Sequence, residues 1–121
     1  KNNKIAVVNR SAYDLWLSDN YKKAKIIRAK TIIETHNLFY NQDVNILAGL
    51  KPKLLEELKN NNEFKLIDEP FTFIKQSIGI KKGKPKAIDF INNFVSKKIK
   101  DGTIKSLLEK YELVDKLSIP V

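Results

Sequence analysis

The chain has 121 residues, 42% of them hydrophobic and 31% charged, and its formal net charge is +9. That length suits a single domain with one core. Because there is no cysteine, disulfides and thiolate metal sites are excluded. No apolar run reaches the roughly 18 residues of a membrane-spanning helix.

The first predicted elements are a buried strand over 4–8, which reads KIAVV, and a helix that begins at Ser11. Ser11 and Asp14 form a variant of the capping box, in which a hydroxyl N-cap precedes a carboxylate by three residues. Tyr13 and Trp16 follow at helical spacing. We expect at least one of these two aromatic side chains in the core rather than stacked on a ligand.

The same alternation of strand and helix continues. A second strand is predicted over 25–29, and a helix that a second capping box opens at Thr31 runs to about Gln42. A third strand is predicted over 44–50. The next helix carries Pro52 in its first turn, where proline is tolerated.

The second half of the sequence changes character. A fourth strand is predicted over 64–70 and a long strand over 71–80, where apolar and polar side chains alternate. Residues 81–85, KKGKP, have the composition of a linker. Helical spacing of apolar residues then predicts a helix over 87–99 and a short one over 104–111.

Alternating strands and helices predict an α/β fold with a mostly parallel sheet and right-handed crossovers. Ligands of such sheets bind beyond the carboxyl ends of the strands, against helix N-termini. Three strand-to-helix corners are therefore expected at one edge, at 9–11, 30–31 and 49–51. Together they would form one wall of a binding cleft.

The evidence for catalysis or metal binding is poor. His36 is the only histidine and is expected to be a partly exposed helical residue, because no cysteine or second histidine could complete a metal site or a triad. The neighbouring carboxylates Glu56 and Glu57 fit a solvated helix surface, and those of Asp68 and Glu69 a turn before proline. No glycine-rich phosphate loop is present, and neither a metal nor a cofactor is expected.

A basic nucleic-acid binder stays open as a further class, but the net charge of +9 is the only feature that suggests it. Only Arg10 and Arg28 are arginines, the residue that nucleic-acid readers favour. The basic run over 81–86 has no interleaved aromatic residue for stacking on bases, so a solvated connector is favoured over a phosphate-binding patch.

Four stretches in this order resemble the C-terminal half of the extracellular solute-binding proteins of ABC importers, in the family that binds polar amino acids. They read KIAVVNRSAYDLWL, DVNILAGLKP, QSIGIKKGKPKAIDFINNFV and IKDGTIKSLLEKY. Family members close two α/β lobes on a small solute and deliver it to a membrane permease.

The resemblance implies a domain organisation. Residues 1–75 would form the second ligand-binding lobe, with three layers, and 76–83 the strand that returns through the hinge. Residues 84–121 would contain the two C-terminal helices that pack on the first lobe. Because that lobe is missing from the sequence, either the chain is a fragment or another chain supplies the missing core. The sequence contains no signal peptide, and a periplasmic or extracellular location is expected from the resemblance alone.

The resemblance also implies ligand-binding residues at two corners. Ser11 matches the position whose hydroxyl binds a ligand carboxylate, and Ala12 would donate its N–H. Arg10 replaces the usual glycine, and either adds its charge to the anion site or blocks it. At the other corner, the resemblance implies that Gly49 and Leu50 would face the cleft. Leu50 stands where amino-acid binders place the aspartate that pairs with the α-ammonium group, so a carboxylate without that group is at least as plausible a ligand.

Other functional classes stay open. A sensor domain of a signalling receptor would share the fold, and a transmembrane or kinase region in the full gene would identify it. A dehydratase of the same fold would need an acid or base in the cleft, for which Glu34 and His36 are the nearest candidates. The leading expectation is a binding protein without catalytic activity.

Overall fold

A computed structural model describes residues 3–119. The chain divides between Ile74 and Lys75 into two compact units. The first unit contains three strands and three helices within the described residues, and the second contains two helices. The predicted α/β class, with two C-terminal helices, is confirmed.

The strands of the first unit are β1 (Lys4–Val8), β2 (Lys25–Ala29) and β3 (Ile46–Leu47). They form a parallel sheet in the order β2-β1-β3, so β1 is the central strand. The first crossover places β2 on one side of β1. The second crossover leads from β2 back past β1 and places β3 on its other side.

Three helices follow these strands: α1 (Ala12–Asn20), α2 (Ile32–Tyr40) and α3 (Lys51–Lys59). The N-cap side chains of α1 and α2 are Ser11 and Thr31, as the two capping boxes predict. Each accepts a hydrogen bond from a backbone N–H in the first turn of its helix, which would otherwise lack a partner.

The core lies where α1 meets the sheet. Leu17 packs against Ile5, Val7 and Ala48, and all four are nearly inaccessible to solvent. Because the two crossovers run in opposite directions and both are expected to be right-handed, α1 and α2 cover opposite faces of the sheet. Tyr13 and Trp16 are partly buried and pack against the core cluster, in agreement with the expectation that at least one of them contributes to the core.

Two predicted strands are wrong, and a third is shorter than predicted. Residues 64–70 and 71–80 form no strand, and only Ile46–Leu47 of the segment 44–50 pairs with β1. Apolar alternation shows that a segment can form a strand, but a strand also needs a hydrogen-bonded neighbour. The outer edge of β3 has no strand beside it among the described residues.

The second unit contains α4 (Pro85–Lys100) and α5 (Thr103–Lys110), within a few residues of the predicted helices. Gly102 joins them with a φ of 80°, a conformation that glycine adopts without steric cost. No residue of either helix is buried. Their apolar stripes, which include Phe90 at 70% exposure, are thus left uncovered.

Within residues 3–119, no helix has both the length and the apolar character that a bilayer crossing requires.

Candidate functional site

The corner between β1 and α1 contains three of the expected ligand-binding residues. Ser11 donates its N–H to the Val8 carbonyl at 3.1 Å, and its hydroxyl oxygen accepts the Asp14 N–H at 3.1 Å. The hydroxyl hydrogen of Ser11 is therefore free to donate outward. The N–H groups of Ala12 and Tyr13 also lack intrahelical acceptors, because they belong to the first turn. The positive end of the helix dipole adds to these donors.

Arg10 adopts a left-handed conformation, with a φ of 60°. Such a conformation costs a residue with a side chain about 1–2 kcal/mol, which explains why glycine is expected at this turn. The Asp14 carboxylate offsets that cost by accepting the Arg10 N–H at 2.8 Å. Within the described residues, the structure gives the Arg10 guanidinium neither a hydrogen bond nor an ion pair, so its charge is available beside the Ser11 corner.

Asp14 is the buried centre of this corner, with only 2% of its surface exposed. It binds the Arg28 side chain at 3.0 Å and accepts the Ser18 hydroxyl at 3.2 Å. Burial alone would raise the pKa of the Asp14 carboxyl. Hydrogen bonds from Arg28, the Arg10 N–H and Ser18, together with the Arg28 charge, outweigh burial and hold that pKa below its ordinary value of 3.8.

The second corner, at Gly49 and Leu50, follows β3. Leu50 is the N-cap of α3 and makes no capping hydrogen bond through its side chain, which is about half exposed. A Cβ on Gly49 would lie 3.4 Å from Leu54, a distance that is tight but within contact range. In the first turn of α3, Pro52 has no N–H and Lys53 donates its N–H to the Leu50 carbonyl at 3.0 Å, so Lys51 supplies the remaining backbone donor. The Lys51 side chain forms an ion pair with Asp68 at 2.6 Å, and Leu50 contributes an apolar side chain.

The two corners lie side by side. β1 and β3 are hydrogen-bonded neighbours, and adjacent strands are about 4.8 Å apart. After β1 the chain continues on one face of the sheet, and after β3 it continues on the other face. The carboxyl ends of β1 and β3 therefore flank a topological switch point. Ligands of open α/β sheets bind at such points. Arg10, Ser11, Ala12, Gly49 and Leu50 all lie at this point.

The third expected corner, between β2 and α2, has the same capping hydrogen bonds as the Ser11 corner. Lys30 donates its N–H to Glu34 at 2.9 Å, and Glu34 donates its own N–H to the Thr31 hydroxyl at 3.1 Å. This closed capping box occupies Glu34, one of the two candidates for an acid or base. β2 also lies on the far side of β1 from β3, so this corner is separate from the switch point.

His36, the other candidate, lies in a polar cluster between α2 and α3 that the sequence did not predict. Only 9% of its surface is exposed, so the expectation of a partly exposed histidine is wrong. Its Nδ1 lies 3.3 Å from Glu57, which also binds the Tyr40 hydroxyl and, at 3.3 Å, Lys53. The four-residue spacing of His36 and Tyr40 is the one sequence signal that places them on the same side of α2.

This cluster shifts the pKa values of two of its members in opposite directions. The hydrogen bond with Glu57, together with burial and the charge of Glu57, raises the pKa of Tyr40 to about 12. The same hydrogen bond, joined by Lys53 and by the electrostatic interaction with His36, holds the pKa of Glu57 below 4.5 despite its partial burial. Glu57 therefore links α3 to α2 as a carboxylate, and Tyr40 does so as a neutral phenol.

Glu57→Gln should lower the pKa of the Tyr40 phenol toward its ordinary value of 10. It should also reduce stability at neutral pH by about 1 kcal/mol, since a charge-assisted hydrogen bond becomes a neutral one. Because the folded-state pKa of Tyr40 is raised, its stabilising contribution is present below pH 10 and is lost as the pH rises toward about 12. The variant should lose less stability across that range.

Absorbance titration of tyrosinate measures the pKa shift of Tyr40. Tyr40→Phe should remove the titration step at the highest pH and so assign that step to Tyr40. Glu56→Gln is the matched control, because the Glu56 side chain is 65% exposed and pairs with Lys53 alone among residues 3–119. An identical titration of wild type and Glu57→Gln would contradict the assignment.

No cluster of three or more metal-ligating carboxylate or imidazole side chains occurs within residues 3–119. Comparison of the chain with protein-family models, curated proteins and solved structures gave no match. The class of structure defined here is thus an α/β lobe with two helix N-termini at a topological switch point.

Proposed function

We propose that this chain is a ligand-binding lobe of a two-lobe solute-binding protein, which takes up a small anionic solute for an ABC-type importer. The observation that carries the proposal is the convergence of the Ser11 and Gly49 corners at the switch point between β1 and β3. The order of the sequence motifs gives the same function by resemblance.

The chemistry of the corners favours an anion without an α-ammonium group. Outward donors come from Ser11, Ala12 and the first turn of α1, and Arg10 adds a guanidinium without an ion pair among residues 3–119. Helix N-termini with such donors bind carboxylates and phosphates. At the neighbouring Gly49 corner Leu50 presents an apolar side chain, and the Asp68 carboxylate is already paired with Lys51. An ammonium group there would lose its hydration without gaining a charged partner of its own.

The partners follow from the same proposal. A first lobe would close the cleft over the solute, and lobe closure would be recognised by a membrane permease at the cell surface or in the periplasm. α4 and α5 would pack on the first lobe, since their apolar stripes are uncovered in this structure. The function requires no catalytic residue, cofactor or nucleic acid.

A thermal-shift screen tests the proposal with acetate, pyruvate, lactate, citrate, inorganic phosphate, α-amino acids and a short DNA duplex. A bound anion at a hundredfold its dissociation constant should stabilise the chain by about 2.7 kcal/mol. Arg10→Ala should weaken that binding about tenfold, the effect of losing one charge-assisted contact of about 1.4 kcal/mol. Lys23→Ala is the matched control, because it removes an equal charge from the exposed surface after α1.

The outcomes separate the alternatives. Stabilisation by α-amino acids alone would contradict the role given to Leu50. An equal loss of affinity in Arg10→Ala and Lys23→Ala would show general charge attraction rather than a corner site. Binding of DNA alone, or no stabilisation by any of the anions, would overturn the proposal.

A further inference from the structure

A cavity of about 720 Å³ lies in the first unit beside the outer edge of β3. Its apolar walls include Trp16 and Leu17 from α1, Phe39 from α2, and Leu54 and Leu58 from α3. Since α1 and α2 cover opposite faces of the sheet, the cavity occupies the layer of the sheet itself. It lies where a further strand would follow β3.

The far wall of the cavity is formed by the segment 64–71, which contributes Phe64, Leu66, Ile67 and Phe71. This segment has no strand partner. Ile67, in the middle of the segment predicted as the fourth strand, is 78% exposed. The cavity thus lies between β3 and the segment 64–71, and no described residue forms a strand between these two elements.

The backbone of β3 specifies what could fill this space. Ala48 donates its N–H to Ala6 in β1, and residues of a strand alternate in direction, so the N–H and C=O groups of Leu47 point away from β1 toward the cavity. An extended peptide can bind both groups. An apolar small molecule would leave them without partners.

The volume agrees with a strand. At a rise of about 3.3 Å per residue, a strand spacing of about 4.8 Å and a layer separation of about 10 Å, one strand residue takes up about 160 Å³. The cavity then holds about four or five residues. Because helices cover both faces of the sheet, such a strand should be a continuous apolar run rather than an alternating one.

We propose that the space between β3 and the segment 64–71 is a docking site for an extended apolar peptide segment, which adds a strand to the sheet edge. This inference is independent of the solute that the Ser11 corner binds. It identifies a second point of attachment for a partner polypeptide, besides the uncovered faces of α4 and α5. Strand addition of this kind combines backbone hydrogen bonds with side-chain pockets.

Trp16 is the only tryptophan and lies in the cavity wall, so its fluorescence reports occupancy directly. The probe is a synthetic peptide of about five consecutive valines between terminal lysines. We expect the peptide to shift Trp16 emission and to protect the Leu47 amide from hydrogen exchange. The same peptide with alternate amides N-methylated should bind about tenfold more weakly, because it has equal apolar surface but cannot complete the ladder.

Variants of the protein provide the second control. Leu54→Lys places a charge in the cavity wall and should abolish the fluorescence response. Leu15→Lys adds the same charge at a side chain that is 58% exposed on α1 and should leave the response unchanged. Equal binding of the two peptides would show a site for apolar molecules instead of a strand and would overturn the proposal. A lack of binding, or filling of the cavity by a second copy seen as dimerisation in sedimentation, would overturn it as well.

Discussion

Asp14→Ala should destabilise the first unit by about 2–3 kcal/mol. Removing one partner of a buried ion pair costs about 3–5 kcal/mol, and the exposure of the Arg28 side chain, 43%, reduces that cost because water can solvate the released guanidinium. The variant also releases the Arg10 N–H, so the left-handed turn loses the acceptor that offsets its strain. Urea unfolding measures the loss.

Two variants make this prediction specific. Asp19→Ala removes an exposed carboxylate from the same helix and should change stability by less than about 0.5 kcal/mol. Arg10→Gly removes the conformational cost at the turn, so Asp14→Ala should be less destabilising in the Arg10→Gly background. Equal losses in both backgrounds would show that Asp14 does not hold the Arg10 turn.

The pH dependence of the same variant has a definite sign. The folded-state pKa of Asp14 lies below its ordinary value of 3.8, so its contribution to stability is fully present above about pH 4. It is lost as the pH falls through the lowered folded-state pKa. The stability difference between wild type and Asp14→Ala should therefore narrow in acid, and a difference that widens would contradict the ion-pair assignment.

Leu17→Ala should cost about 2–4 kcal/mol, the range for truncating a buried leucine. Leu17 and Asp14 are the only buried residues of α1, so the apolar attachment of this helix to the sheet depends largely on one side chain. Its removal would also enlarge the neighbouring cavity beside β3. The midpoint of urea unfolding should fall while its slope is unchanged.

Leu15→Ala is the matched control for this prediction. It is the same substitution two residues away, at a side chain that is 58% exposed, and should change stability by less than about 0.5 kcal/mol. Similar losses for Leu15→Ala and Leu17→Ala would contradict the packing of α1 described above.

Local sequence signals were sufficient for most helices of the fold. The hydroxyls of Ser11 and Thr31 cap α1 and α2 as their spacing predicts, because the capping hydrogen bond reaches only three residues along the chain. The strands at 4–8 and 25–29 were also predicted, since each is an apolar run bounded by polar residues. These features depend on neighbours in sequence.

The environments of Asp14 and His36 could not be predicted in this way. The sequence identifies Asp14 only as a first-turn carboxylate, whereas its burial and its bond to Arg28 require β2 to lie beside β1. The pairing of His36 with Glu57 likewise requires α3 to pack against α2, across 21 positions of sequence. Their chemistry depends on pairings that no local pattern encodes.

The strands predicted over 64–70 and 71–80 are absent from the structure, which shows that a local apolar pattern does not suffice to predict a strand. The apolar residues of these segments are suited to a strand, but a strand is stabilised by hydrogen bonds to a neighbour, and the described residues provide none at the β3 edge. By itself the sequence determined the helix starts, the two longer strands and the corner residues from Arg10 to Ala12. Only the tertiary structure decided which corners meet, which carboxylates are buried and where the sheet ends, because each of these depends on contacts between segments far apart in the chain.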